Sequence, residues 1–559
     1  MTLRQGYADF AASCRKPQAA LHSGNLAPGA VALLPQSRCL EIRVARALVT
    51  PPSFHSRRRF LAAGGSVMLA ATLAPLLAVA AQSRFDVRDF GAVADGVSLD
   101  SDAINRAIAA AAKAGGGTVT FPAGRYLCFT LHLRSHVVLQ FSPGAVLIAA
   151  TPDFTRVGWQ YDPPETQDAS FSAYQDFGHN HWHNSLIWGE DLDNVALVGP
   201  GELWGRGLQK GDGAAEEKPG MGNKILALKR CRNVLLRDLS LREAGHFGVL
   251  ASGVDSLSIE NLRIDTQRDG IDIDACRDVH IRGCTVNTPW DDAIVLKSSY
   301  SLGEIRSTER VIISDCTITG CYQTGSMLDG SYLRFPAHMN DDPPSFVGRI
   351  KIGTETNGDI RGVVVANCVF EGCHGLAVES EDGSHVEDIS FDNIVMRDMK
   401  GPPIFVRLGA RLRGPAGTKP GAIRRLSFRG IDCAGSSATF SSIVTGIPGH
   451  PVEQVLIDTI SVRYEGGTRQ IPADIPERIA AYPDPQMFGA TPSQGFYIRH
   501  AQQIELHGIR MQADAPDVRP AIWLEDVQHA RLGDIVLIGS HAEKVHQAAG
   551  NSEVTILPD

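Results

Sequence analysis

Three observations predict an all-β solenoid: a recurring apolar phrase, a regular spacing between its copies, and a high glycine content. The phrase is apolar, any, apolar, two spacers, apolar, any, apolar. It reads Val234-Leu236-Leu239-Leu241, Leu257-Ile259-Leu262-Ile264 and Val279-Ile281-Cys284-Val286, then Val311-Ile313-Cys316-Ile318 and Val363-Val365-Cys368-Phe370. Later copies are Leu426-Phe428-Ile431-Cys433, Val455-Ile457-Ile460-Val462 and Ile504-Leu506-Ile509-Met511. Alternation at period two marks strands with one buried face. The spacers, rich in Asp, Asn and Gly, mark turns. Where no loop intrudes, copies begin about 22 to 26 residues apart, a solenoid period. One unit cannot bury its own face, so copies must stack. The predicted fold is a right-handed parallel β-helix of roughly ten coils. Longer edge loops follow Ile318, Val406 and Val462. The 56 glycines among 559 residues fit so turn-rich a chain.

Ahead of the coils, Asp100 or Ser101 can cap a helix running to about Ala114, ended by Gly115 to Gly117. Ile104, Ala107, Ile108 and Ala111 give that helix an apolar stripe. It is suited to cover the open end of the solenoid, whose edge would otherwise invite pairing. Further upstream, Arg57, Arg58 and Arg59 precede an apolar run from Leu61 to Ala80, with small residues at Ala78, Ala80 and Ala81. That is the order of an export signal. Ser56-Arg57-Arg58 followed by Phe60-Leu61 looks like the twin-arginine type. A membrane anchor is the competing reading, disfavoured by the many Ala and Gly. The expected organisation is an extension and signal over residues 1–81 and a single β-helix domain over 82–559, destined for the periplasm or the exterior.

Hydrophobic residues make up 43% and charged residues 21%, an ordinary soluble composition. A net charge of -9 lacks the basic footprint of a nucleic-acid binder. Of eleven cysteines, Cys14 and Cys39 precede the signal, which leaves an odd nine. Cys284, Cys316 and Cys368 share one position of the phrase, so burial as small apolar residues is expected for them.

The repeat gives the aspartates of "TQRDGIDID" and "PWDDAIVLKSS" a geometry. Asp269 lies 12 residues after Leu257, and Asp291 lies 12 residues after Val279. They are expected to stack in consecutive coils about 4.8 Å apart, with Asp292 beside them. Like charges so close cannot all ionise freely, so one pKa should rise and leave a protonated acid near neutral pH. A protonated carboxyl can donate to a glycosidic oxygen while an ionised neighbour activates water. From spacing alone, a Ca²⁺ site and plain turn-capping aspartates remain alternatives.

Other residues join the candidate set. Lys297, five residues after Asp292, either reaches an acidic sugar or is an exposed solenoid lysine. In "GHNHWHN", alternation would point His179, His181 and His183 the same way, with no carboxylate partner evident in the sequence. Groove lining with Trp182 is favoured over a metal. His246 and His374 sit by turns, where they contact sugar or satisfy the turn. Glu379, Glu381 and Asp382 add acidity near the groove. Tyr497, Arg499 and His500 fall in a late segment expected to be a loop over the cleft.

At these residues the chain resembles the polygalacturonase family of glycoside hydrolases. "RDGIDID" stands where that family has Asn-Thr-Asp-Gly, and "WDDAIVLKS" matches its double-aspartate motif. Phe85 to Ala145 resembles its N-terminal cap and first coils. "GHNHWHNSLIWGEDLDNV", "GRIKIGTETNGDIRGVVVANCVFEGCHGLAVES" and "YPDPQMFGATPSQGFYIRH" look like a bacterial branch of the family. The resemblance implies Asp291 as general acid, with Asp269 and Asp292 positioning and deprotonating water. It further implies inversion, no metal and no cofactor. The implied partner is a pectic polysaccharide or oligosaccharide, with no nucleic acid, no membrane after signal cleavage, and a monomeric protein.

Two departures stand out. Gly348 occupies the place of the family's histidine, and Ala377 and Glu379 occupy its cationic positions. Arg349 and Lys351 lie one coil early and can supply those cations from a neighbouring rung. The expected substrate-binding set is therefore Lys297, Arg349, Lys351, His181, His246 and Glu379. Loops after Ile318 and Val462 suggest a groove walled at one end and end-acting cleavage. A rhamnogalacturonan hydrolase, a β-helix polysaccharide lyase and a non-catalytic glycan-binding solenoid are the alternatives.

Overall fold

Three ladders of parallel strands wind around one apolar column in the computed structural model. It describes residues 83–558 except 167–171, 177, 212–217, 332, 336–345, 438 and 540–542. The arginines and apolar run of the expected export signal lie outside the described residues.

The two halves of the apolar phrase build two of the ladders. Val234, Leu257, Val279, Val311 and Val363 stand in register on the first. Leu241, Ile264, Val286, Ile318 and Phe370 stand in register on the second. All of these side chains are buried in the one continuous core. The spacer turns the corner between ladders through a left-handed residue: Asp238, Asn261, Gly283, Asp315 and Asn367 have φ of 57°, 53°, 64°, 57° and 56°. Gly, Asn and Asp occupy that region at least cost, which explains the spacer's composition. Cys284, Cys316 and Cys368 are buried and free, like all nine cysteines among the described residues.

The third ladder is the one the phrase does not announce. Its strands include Phe247–Ser252, Asp269–Asp274, Ile294–Ser298, Ile350–Thr356, Leu376–Ser380 and Ile404–Leu408. Residues on both faces of these strands are buried, because insertions cover the outer face. One outward column on this ladder runs Ala227, Leu250, Asp272, Val295, Lys351, Ala377, Phe405, Ile443, Tyr497. The column is apolar at both ends, and charges appear only in the middle.

The ends are apolar because each carries a cover. An insertion between Ala149 and Ser185 lays Trp182 on Ala227, Phe247 and Leu250. A second, between Gly466 and Phe496, lays Ile475, Met487 and Phe488 on Ala377, Phe405, Ile443 and Tyr497. Tyr497, Arg499 and His500 are therefore not in a loop over the cleft. They belong to the strand Phe496–Ala515, with Tyr497 beneath the second insertion.

The helix Ser101–Lys113 buries Ala103, Ile104, Ala107, Ile108 and Ala111 against the first coil. Asp100 precedes it but spends its carboxylate on the Val93 and Ala94 amides, at 2.7 and 3.1 Å. The cap thus staples the entering chain rather than its own helix.

Candidate active site

The middle of the third ladder holds the aspartates. Asp269 opens the strand Asp269–Asp274, and Asp291 and Asp292 lie in the turn before Ile294–Ser298. Asp265 pairs with Asn287, yet Ile271 pairs with Ile294, so the later turn carries one residue more. This corrects the expected stacking: Asp269 stands over Asp292, not Asp291. The Gly270 amide donates to the Asp292 carbonyl at 3.0 Å, and the Asp292 amide donates to Asp269 Oδ1 at 3.3 Å. Asp269 and Asp292 are buried, while the extra residue leaves the Asp291 side chain 24% exposed. Oxygens of all three carboxylates lie within 4.8 Å of one another.

The three environments differ. Both oxygens of Asp292 meet cations, Arg349 Nε at 2.6 Å and Lys351 Nζ at 2.5 Å. Burial pushes its pKa up, but the Arg349 and Lys351 charges outweigh it and hold the carboxyl well below the usual range. Asp269 has no such clamp. Burial, then the charges of Asp291 and Asp272, push it well above the usual range. The acid whose pKa rises is Asp269, and burial outweighs the crowding that the sequence led one to expect as the cause. Asp291 pairs with Arg268 at 2.8 Å.

Around the triad lies a cleft of about 220 Å³. Lys297 forms part of its wall, buried rather than exposed, 3.3 Å from both Asp272 Oδ2 and Glu355 Oε2 and in contact with His179. Burial disfavours its charge, but Glu355 and Asp272 more than compensate and raise its pKa. His246 Nδ1 is 2.8 Å from the Lys210 carbonyl, which can only accept, so Nδ1 carries the hydrogen. Its Nε2 faces Asp269 Oδ2 at 3.9 Å. Burial, then Arg268 and His179, push its pKa well down and keep the ring neutral.

The structure divides the expected binding set. Lys297, Lys351 and His246 line the cleft; Arg349, Glu379 and His181 are not among its lining residues. Arg349 is buried beside Asp292, 3.9 Å from Glu379 Oε1, and burial raises Glu379 to about 7. The three histidines do not point the same way, because residues 178–184 are turns and bends rather than strand. His179 faces the cleft. His183 stacks on Trp188 and contacts Glu190 at 2.9 Å and Glu165 at 3.5 Å, the carboxylates the local sequence did not show. His181 lies 4.0 Å from Glu165. Trp182 is buried wall, not groove lining; its Nε1 donates to Ser252 Oγ at 3.0 Å. Sequence reasoning missed Tyr482, which the second insertion delivers to the cleft and whose hydroxyl accepts from Lys351 Nζ at 3.3 Å.

Comparison with known proteins adds to this geometry. Residues 84–185 match the family described as Rhamnogalacturonase A/epimerase, pectate lyase-like, and residues 223–401 match the right handed beta helix region. A Vitis vinifera protein named as a probable polygalacturonase is 22% identical over 438 residues, spanning 73% of this chain and 80% of that one. The exopolygalacturonase structure from Thermotoga maritima aligns with a TM-score of 0.52 at 21% identity, covering 68% of this chain and 87% of its own. The Family 28 exopolygalacturonase of Yersinia enterocolitica aligns with a TM-score of 0.55 at 16% identity, covering 85% and 78%. Fold and site together define a right-handed parallel β-helix protein of the pectate-lyase-like class, with a carboxylate-lined cleft. Within that class, the chain is similar over most of its length to proteins named as polygalacturonases.

Proposed function

We propose that the protein hydrolyses glycosidic bonds at a chain end of a pectic polysaccharide. The observation that carries the reading is the aspartate cluster, in which one carboxyl is held protonated and another is held ionised. Asp291 is the member that reaches the cleft least buried, and it donates to the glycosidic oxygen. The Asp269 carboxyl, pushed up by burial and by the charges of Asp291 and Asp272, lies within 4.8 Å to return a proton to Asp291 after the step. Asp292, fixed by Arg349 and Lys351, retains a lone pair on each oxygen to orient and deprotonate water.

Inversion is the proposed stereochemical course, because an Asp292 with both oxygens bound to cations is a poor nucleophile. The carboxylate oxygens are within 4.8 Å of one another. That is closer than the roughly 6.5–9.5 Å usual for inverting pairs, so proton NMR of the first anomer released is a sharp test. Retention would transfer the nucleophile's role to Asp292 and overturn this mechanism.

End-acting cleavage is supported by covers on both sides of the cleft, Trp182 toward the N-terminal coils and Phe488 toward the C-terminal coils. Incubation with polygalacturonan and with rhamnogalacturonan, separately, identifies the backbone from the first sugars released. Mixed oligomers in the first minutes would count against end action, and ultraviolet-absorbing unsaturated products would replace the hydrolase with a lyase. Asp291→Asn is expected to lower kcat by about 10²–10⁴-fold, the worth of general acid catalysis.

The protein is proposed to be exported through the arginine-led segment, with residues 82–559 acting as one monomeric catalytic domain. Among the described residues no helix is long and apolar enough to cross a membrane. Fractionation of cells expressing the Arg57→Lys, Arg58→Lys double variant tests the export route, and light scattering tests the monomer.

A further inference from the structure

The second insertion reaches back along the solenoid to the site. Its apolar residues Ile475, Met487 and Phe488 are buried on coils that follow the catalytic ones. Its backbone is pinned by two cations of the third ladder: Arg407 donates to the Glu477 carbonyl at 2.8 Å, and Arg499 to the Ile475 carbonyl at 2.9 Å. The stretch around Tyr482 is a tight turn, with the Asp484 amide donating to the Tyr482 carbonyl at 3.0 Å. On this anchored frame Tyr482 has 48% of its surface open and lines the cleft, which the exposed Ile471 and Ile479 do not. Lys351 Nζ lies 5.8 Å from the ring centroid and donates to its hydroxyl. A loop anchored through Ile475, Met487 and Phe488 that holds one aromatic ring at the rim of a polar cleft presents an amphipathic surface suited to a sugar face.

The cleft runs from His246, beside the strand Phe247–Ser252, to Lys351 in the strand Ile350–Thr356. Three ladder steps separate these strands, about 14 Å at the ~4.8 Å strand spacing. Beyond Lys351 the outward column turns to Ala377 and Phe405, which the insertion covers.

We propose that Tyr482 is a specificity-determining residue: its ring ends the substrate path one coil beyond Asp292 and packs on the sugar there, so that only a chain end fits. The inference rests on the hydrolase reading for its substrate class. It goes beyond that reading by assigning product length to one side chain that lies outside the catalytic triad.

The test uses the full chain, its Tyr482→Ala and Tyr482→Phe variants, and size-defined pectic oligosaccharides. Product lengths and KM are read at low conversion. Wild type and Tyr482→Phe are expected to release one short product length. Tyr482→Ala should release longer products as well, with KM on short oligomers raised about tenfold or more and kcat changed less. A merely structural role would lower kcat and thermal stability together and leave product length alone, which would overturn the proposal. So would a Tyr482→Phe variant that behaves like Tyr482→Ala, since the hydroxyl contact to Lys351 would then be the active feature. Calorimetric binding of the same oligosaccharides in an Asp291→Asn background separates this inference from the hydrolase reading. A tenfold affinity difference between the Phe and Ala variants upholds the wall even if no bond is cut; equal affinities overturn it.

Discussion

Arg349 offers the cleanest test of how the cluster divides its protons, because it touches Asp292 without lining the cleft. Arg349→Met keeps the length of the side chain and removes the charge 2.6 Å from Asp292 Oδ1. At an effective dielectric of about 20, a unit charge near 4 Å is worth about 4 kcal/mol, or roughly three pKa units. Burial and the neighbouring carboxylates then act on Asp292 against Lys351 alone, and its pKa climbs toward or above the ordinary carboxylate range. The assay is kcat/KM against pH from about pH 3 to pH 9. The acid limb is expected to move up by roughly 1–3 units, the scale of a nearby-charge effect, while activity recovers on the alkaline side of the new limb. Arg349→Lys should restore most of the original profile. A variant with its acid limb unmoved and its rate depressed equally at every pH would refute the argument, because the guanidinium would then not be what keeps Asp292 ionised.

Further outcomes follow from the same structure. Burial raises Glu379 to about 7 and Glu381 to about 9, so the native state holds protons the unfolded chain releases. Their contribution is fully present below about pH 4.5 and is lost as pH rises through 7 and 9. Glu381→Gln should therefore shrink the fall in Tm between pH 6 and pH 9. Trp182→Ala removes the largest side chain of the N-terminal cover and is expected to cost about 3–5 kcal/mol in denaturant titration. Because all nine described cysteines are free, reductant should leave Tm unchanged.

Two of the three ladders were legible because each buries one face, and alternation at period two survives in Val234-Leu236 or Leu257-Ile259. The third was not, since strands such as Asp269–Asp274 are buried on both faces and mix Ile with Asp. The aspartates were found through the register of the repeat. The register was wrong by one residue, however, because nothing in the phrase reports the length of the turn before Ile294. The histidines were assigned a strand's alternation in a segment that lacks one. Lys297 lay near the aspartates as expected, but its burial depends on Asp272 and Glu355, neither of which its own strand supplies. Tyr482 meets Lys351 across 131 residues of chain, and no local pattern encodes so distant a meeting.

The extra residue between Asn287 and Ile294 has a consequence for how such a scaffold acquires asymmetry. A solenoid is a ruler, and identical divisions place identical side chains in identical surroundings. One added division shifts the phase in this turn, as it does between Arg242 and Phe247 in an earlier coil, and pairing resumes at Ile294. Without it, the aspartates would fall on equivalent marks with equivalent neighbours. With it, one carboxylate is carried toward solvent and its companion is left against two cations. A phase slip of one residue thus turns a repeated position into two unlike acids, while the strands before and after the turn remain paired.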